Sequence, residues 1–142
     1  MLVFSFTLLR AFFLVAGLSF VSYTDLKSRI APNLITYSLI ALGLLLHLIE
    51  SLATSSFVPF ALSASGAVVA FFFSLFLYKV GAWAGGDVKL FTGIGALMPV
   101  YSEGPALVSS FCKEYPLFPF TILANSVLLA FPFITAYVFW RT

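Results

Sequence analysis

Two aspartates, Asp25 and Asp87, are the residues of this sequence whose type and placement best suit chemistry. They stand in a chain of which 8% of the residues are charged and 62% are hydrophobic, where a carboxylate is costly to keep. Two carboxylates brought close together cannot easily both ionise, so they share one proton. Such a pair offers one acid and one base near neutral pH, which is what activating water against a peptide carbonyl requires.

Each aspartate also has an ordinary structural interpretation when it is taken alone. Asp25 would be a solvated loop acid, or the N-cap of a short turn before Pro32. Asp87 follows two glycines, and Gly85-Gly86-Asp87 is typical of a turn and N-cap at the start of a helix. The pairing of the two aspartates is therefore a hypothesis about the fold.

The other reactive residue types do not form a second candidate site in the sequence. Cys112 is the single cysteine and His47 the single histidine, so we expect neither a Cys/His pair nor a metal site. No cofactor is expected. The formal net charge of +2 is too small to indicate a nucleic-acid surface, so no nucleic-acid partner is expected either.

The apolar runs that must position the aspartates predict an all-α, polytopic bundle of transmembrane helices. The mean hydropathy is +1.13, and the chain contains 18 phenylalanines. Since a span needs about 20 apolar residues, the 142 residues are expected to form one domain with about five spans. Pro32 would stop the first helix, and Asn33 would cap the second. The predicted spans are residues 5–24, 34–53, 59–80, 90–102 and 117–140.

The fourth of these runs is too short to cross a bilayer alone. It spans about 20 Å, against a hydrocarbon core of about 30 Å. Asp87 and Lys89 stand directly before it and are therefore expected at membrane depth, whether the segment crosses or enters a cavity as a half-helix. Residues 101–116 are predicted to form a loop.

The basic residues predict the orientation in the plasma membrane. Those on one side of the predicted spans are Lys27, Arg29, Lys79, Lys89 and Arg141. The positive-inside bias makes that side cytoplasmic and places the N-terminus outside. Asp25 and Asp87 then lie near the cytoplasmic face. At the outer side, Arg10 is expected to be an interfacial anchor. His47 and Glu50, three positions apart on one helix face, could pair, but they are expected to be solvated.

The residues beside the aspartates are expected to shape the site. Gly85 and Gly86 allow backbone conformations closed to other residues and let a substrate segment approach closely. Lys27 and Lys89 each stand two residues after an aspartate. On a helix they would point away from the carboxylate and toward lipid headgroups.

Together the two aspartate segments resemble those of a known family. Asp25-x-Lys27-x-x-x-x-Pro32-Asn33, followed by Gly85-Gly86-Asp87-Val88-Lys89, is similar to the paired motif of the type IV prepilin peptidases and archaeal preflagellin peptidases, the intramembrane GxGD aspartic peptidases. Ala84 replaces the first glycine of Gly-x-Gly-Asp, and Ala31 replaces the isoleucine before Pro32. Family members commonly have six helices, one more than predicted, which implies either a missing C-terminal span or two spans counted as one.

The resemblance implies a membrane-embedded aspartic endopeptidase that removes a short basic leader from prepilin- or preflagellin-like precursors at the cytoplasmic face. Asp25 and Asp87 would form its catalytic dyad. The residues that would shape its substrate site are Lys27, Pro32, Asn33, Gly85, Gly86 and Lys89. Because no further acid remains on that side to bind a basic leader, anionic lipid headgroups are expected to hold it. The residues alone leave two alternatives: a transporter or channel subunit in which the aspartates handle cations or protons, and a structural assembly partner with no site.

Overall fold

The computed structural model describes residues 2–29, 31–100 and 117–141, and within these ranges every regular element is an α-helix. The helices are α1 (Leu2–Ser28), α2 (Asn33–Ala53), α3 (Val58–Lys79), α4 (Gly85–Leu97) and α5 (Phe118–Arg141). Helices α1, α2, α3 and α5 are long and apolar enough to cross a membrane. The predicted all-α polytopic bundle is therefore confirmed. The loop predicted over residues 101–116, which contains Cys112, lies outside the described residues.

Helix α1 extends further than the sequence predicts. It runs for 27 residues, about 40 Å at the rise of an α-helix, and so exceeds a hydrocarbon core of about 30 Å. Asp25 was expected to follow this helix, which is wrong, because it lies in the last turn. The physical reason is that Pro32 restricts only the residue directly before it, so nothing in residues 24–28 stops the helix.

Prolines mark the starts of the next two helices. Pro32, with φ −63° and ψ 124°, occupies the N-cap position of α2, and Asn33 is the first helical residue rather than the predicted cap. Pro59 lies in the first turn of α3, where a backbone N–H would have no partner within the helix. Helix α2 begins one residue earlier than predicted and ends where predicted. Helix α3 begins and ends one residue earlier than predicted.

Helix α4 lies at the centre of the bundle and packs mainly on α3 and α2. It is 13 residues long, about 20 Å, and begins at Gly85 rather than at the predicted residue 90. Gly66 of α3 and Gly95 of α4 pack so closely that a Cβ atom added to either would collide with the carbonyl oxygen of the other. Ser63 Oγ donates to the Ala96 carbonyl at 2.7 Å, so a hydrogen bond joins these two helices.

The first turns of α5 return to the bundle. The Phe118 N–H donates to the Pro99 carbonyl at 3.1 Å, just beyond the end of α4, and Pro119 is buried. Phe120 packs edge-on against Phe73 and Phe91, with ring centroids 4.8 Å and 5.7 Å away. From residue 124 onward the side chains of α5 are exposed in the structure, apart from the half-buried Thr135. This helix therefore contributes to the site through its first turns alone.

Candidate active site

Asp25 lies at the end of α1, where the helix terminates in a left-handed residue. The Arg29 backbone has φ 53°, and its N–H donates to the Asp25 carbonyl at 2.8 Å. The side chains of Thr24 and Ser28 bond back to helix carbonyls one turn earlier, the Val21 and Thr24 carbonyls, at 2.9 Å and 2.8 Å. The Asp25 side chain is exposed on this last turn, and so is Lys27.

Asp87 lies in the first turn of α4, and its carboxylate holds the start of the helix. Its Oδ2 accepts a hydrogen bond from the Ala84 N–H at 2.9 Å. Ala84 is the N-cap residue, with extended φ −87° and ψ 161°. Its methyl group cannot accept a hydrogen bond in return, so only half of a capping box is present. The Asp87 side chain is otherwise exposed.

Contacts between α2 and α4 bring the two aspartate segments to the same end of the bundle. Lys89 Nζ donates to Asn33 Oδ1 at 2.7 Å and lies 5.1 Å from the centroid of the Tyr37 ring. A Cβ added to Gly86 would lie 3.0 Å from the Ala31 Cβ. The start of α4 therefore rests on the start of α2, a few residues along the chain from the last turn of α1. Within the described residues no hydrogen bond links the carboxylates of Asp25 and Asp87.

Lys89 has a partner within the protein that the sequence did not predict. It points away from Asp87, as expected for two residues that are two positions apart on a helix. Its ammonium donates to the Asn33 side chain. The Asn33 side chain is free to do this because Pro32, not Asn33, caps α2. Asn33 and Lys89 therefore join the starts of α2 and α4 directly.

The structure supports only in part the reasons predicted for the two glycines before Asp87. Both are helical residues of α4, and the positive φ of this connection is found at Gly81 (φ 82°). Gly86 is needed instead for the close approach to Ala31. Gly85 is exposed, and a Cβ added there would have as its nearest neighbour a Tyr78 ring carbon 4.0 Å away. The prediction of special backbone conformations at Gly85 and Gly86 is therefore wrong, whereas close approach holds at Gly86.

A groove runs from Asp87 along α4 toward α5. Its volume is about 300 Å³, and its apolar walls come from Trp83, Leu90, Phe91, Ile94 and Leu123. Trp83 packs edge-on against Phe91, with ring centroids 5.4 Å apart. We call this the Asp87 groove. It places an apolar channel directly beside a carboxylate.

A buried ionic cluster was not predicted from the sequence. Arg10 Nη1 donates to Glu50 Oε2 at 2.6 Å, with side chains only 7% and 6% exposed. His47 is also buried, and its Nδ1 donates to the Gly43 carbonyl at 2.8 Å. The predictions of an interfacial Arg10 and of solvated His47 and Glu50 are therefore wrong. The reason is that the pair satisfies both charges inside the protein, so neither needs water.

The cluster is far from the aspartates along the helices. Arg10 precedes Asp25 by 15 positions on α1, which corresponds to about 22 Å. It borders a cavity of about 120 Å³ that Met98 and Pro99, at the end of α4, also line. Among the described residues no group of three His, Cys, Asp or Glu side chains could hold a metal ion.

Comparison with known proteins defines the class to which this helical bundle belongs. The sequence model of the type IV leader peptidase family matches residues 12–135, which include both aspartates and all of α2, α3 and α4. The chain therefore belongs to this family. Together with the four apolar helices, this indicates a multi-pass membrane protein.

Several known proteins are similar to most of this chain. The prepilin peptidase EppA of Methanothermobacter thermautotrophicus is 39% identical over 94% of the chain and 36% of its own length. The preflagellin peptidase of Methanococcus voltae is 34% identical over 80% of the chain and 49% of its own length. The preflagellin peptidase of Methanocaldococcus jannaschii is 30% identical over 80% of the chain and 50% of its own length. The chain thus spans half or less of the length of these relatives. No solved structure matches it.

Proposed function

We propose that this protein is a membrane-embedded aspartic endopeptidase that removes the short basic leader from prepilin- or preflagellin-like precursors. One observation carries the proposal: in a member of the type IV leader peptidase family, the α2–α4 contacts hold the start of α4, with Asp87, beside the connection that follows Asp25. The relatives named prepilin peptidase and preflagellin peptidase support the substrate class.

The proposed chemistry needs the two carboxylates and one water molecule. The ionised carboxylate takes a proton from water while the water oxygen bonds to the carbon of the scissile carbonyl, and the protonated carboxyl donates to the carbonyl oxygen. The tetrahedral intermediate then collapses, the C–N bond breaks, and the amine leaves with a proton from the dyad. Because coupled acids titrate as a pair, we assign the two roles to Asp25 and Asp87 jointly.

The Asp87 groove supports a binding mode for the precursor. A leader-bearing precursor continues after its cut site into an apolar helix, and the groove offers apolar walls from Trp83, Phe91 and Leu123 at the required place. We propose that the groove holds the apolar side of the cut site and thereby fixes the scissile bond beside Asp87.

The basic residues support an orientation in the plasma membrane. Lys27 lies in the last turn of α1 and Arg29 directly follows it. Lys79 ends α3, and Lys89 lies in the second turn of α4, so all four belong to the end of the bundle that carries the aspartates. The positive-inside bias favours the cytoplasm for that end and the outside for the start of α1. We therefore propose cleavage at the cytoplasmic face.

The test is cleavage by the purified chain in lipid vesicles of a precursor with a short basic leader and an apolar helix. We expect Asp25→Asn and Asp87→Asn each to lower the rate about 100-fold or more, because each removes a proton-transfer group. Lys79→Gln, which changes an exposed charge at the end of α3, should stay within about twofold of the wild type.

The products distinguish the possible outcomes. A leader and a mature protein of the summed mass, lost in both aspartate variants and kept in Lys79→Gln, support the proposal. Undiminished cleavage by either Asp→Asn variant, or no cleavage by the wild type, refutes it. Cation flux that both variants lose, without any proteolytic product, would instead support a transporter.

A further inference from the structure

Helix α4 borders a second groove, on the face opposite to the Asp87 groove. The Asp87 groove uses positions 87, 90, 91 and 94, whereas the second uses 85, 88, 89 and 92, about half a helical turn away. The second groove has a volume of about 220 Å³ and lies between α2, α3 and α4. We call it the lysine groove; its walls are formed by Tyr37, Ile40, Phe71, Leu75, Tyr78, Gly85, Val88, Lys89 and Thr92.

The mouth of the lysine groove carries a positive charge that no carboxylate neutralises. Lys89 Nζ donates to a neutral acceptor, Asn33 Oδ1, and lies over the Tyr37 ring. The single ion pair among the described residues is that of Arg10 and Glu50, so Lys89 pairs with no acid in this part of the chain. The ammonium lies in an exposed contact with Asn33, close to the exposed rings of Tyr37 and Tyr78. A cation with no neighbouring carboxylate favours an anionic group at the mouth.

The interior of the lysine groove is apolar and extends along the bundle. Its α3 wall runs from Tyr78 through Leu75 to Phe71, about 10 Å along the helix axis. Ile40 of α2 and Val88 of α4 form the opposite walls. Gly85 leaves the mouth open, since a Cβ added there would have nothing nearer than a Tyr78 ring carbon at 4.0 Å. The lysine groove thus has a cationic group at its mouth and an apolar channel that continues from it.

We propose that the lysine groove binds an anionic phospholipid, with its phosphate on Lys89 and one acyl chain along Ile40, Phe71 and Leu75. Helix α3 is long and apolar enough to cross a membrane, so acyl chains would meet the wall that it contributes, and the tyrosines at the mouth suit the headgroup level. Basic pockets between transmembrane helices recognise anionic headgroups in this way. A basic peptide segment would be repelled by Lys89. The site does not depend on peptidase activity, because it lies on the other face of α4.

The test measures lipid retained by the full chain in native mass spectra, after titration with dioleoyl phosphatidylglycerol or dioleoyl phosphatidylcholine. The wild type should bind the anionic lipid about fivefold more tightly, as expected for one lysine near the membrane surface. Lys89→Gln should abolish this preference. Lys27→Gln removes the same charge from the end of α1, which does not line the groove, and should retain it.

A second variant tests the apolar channel and keeps the test valid if Lys89→Gln fails to fold. Leu75→Trp fills the channel without altering any charge, so it should lower the binding of both lipids. Inorganic phosphate at equal concentration should not displace the lipid, because it lacks the chain. Equal binding of the two lipids by the wild type, an equal loss in Lys27→Gln, unchanged binding in Leu75→Trp, or displacement by phosphate would each overturn the proposal.

Discussion

Replacing Glu50 by glutamine should destabilise the protein strongly although the residue is far from the aspartates. The Arg10–Glu50 pair is 2.6 Å long, and its side chains are 7% and 6% exposed, so solvent screens it little. Glu50→Gln leaves the Arg10 guanidinium buried without a compensating charge. The Arg10 Nε–H already lacks a hydrogen-bond partner among the described residues, so no local group there takes over. Breaking a buried ion pair from one side costs about 3–5 kcal/mol of unfolding free energy.

Removing both charges should lower the unfolding free energy far less than removing one of them. The double variant Arg10→Met/Glu50→Leu leaves no buried charge, and apolar replacements of a buried pair are often neutral. We expect it to lie within about 1 kcal/mol of the wild type, with a correspondingly large coupling energy in the double-mutant cycle. The matched control is Lys27→Met, an exposed cation on the same helix, which should change stability by less than about 0.5 kcal/mol.

The assay is reversible unfolding in mixed micelles with increasing denaturing detergent, followed by the helical circular dichroism signal. Glu50→Gln, the double variant, its two single changes Arg10→Met and Glu50→Leu, and the Lys27→Met control are all compared at one protein and lipid concentration. The reasoning is refuted if Glu50→Gln unfolds with nearly the wild-type free energy. It is equally refuted if the double variant loses as much stability as the sum of the two single changes.

Three further predictions concern the site and its orientation. Gly86→Ala should keep cleavage, because the Ala31 contact at 3.0 Å needs a small shift, whereas Gly86→Leu should displace α4 and lower the rate about 100-fold; equal rates would contradict this. Leu123→Trp should raise KM with little change in kcat by filling the Asp87 groove; an unchanged KM would argue against substrate binding there. In a Cys112→Ser background, Lys79→Cys should react with an impermeant maleimide in inverted vesicles but not in right-side-out ones; the reverse labelling would reverse the proposed orientation.

The positions of the helices could be predicted because they depend on local sequence. The bounds of α2 and α3 were predicted to within one residue at each end. They follow from the lengths of the apolar runs, which the bilayer thickness sets, and from prolines, which act on the backbone beside them. The end of α1 could not be placed, because it depends on the left-handed backbone of Arg29. Arginine gives no sequence signal for that conformation, unlike a glycine in the same place.

The rotations of the helices about their axes could not be predicted, and they decide the contacts of the site. In a membrane protein the lipid-facing and protein-facing sides of a helix are both apolar, so hydrophobic periodicity does not distinguish them. This is why Arg10 and Glu50 gave no sign of meeting across 40 residues of sequence. The Lys89–Asn33 bond was missed for the same reason, although the direction of Lys89 away from Asp87 followed from helix geometry.

The capping and catalytic interpretations of Asp87, which compete in the sequence, are compatible in the structure. As the third residue of α4, Asp87 reaches back with Oδ2 to the Ala84 N–H at 2.9 Å. An N-cap side chain would instead be turned into the helix to meet its free N–H groups. Reaching back leaves the carboxylate exposed at the entrance of the Asp87 groove while one oxygen is fixed. The bond that starts the helix would therefore also orient the proposed catalytic acid, so moving the start of α4 should impair cleavage even where Asp87 itself is unchanged.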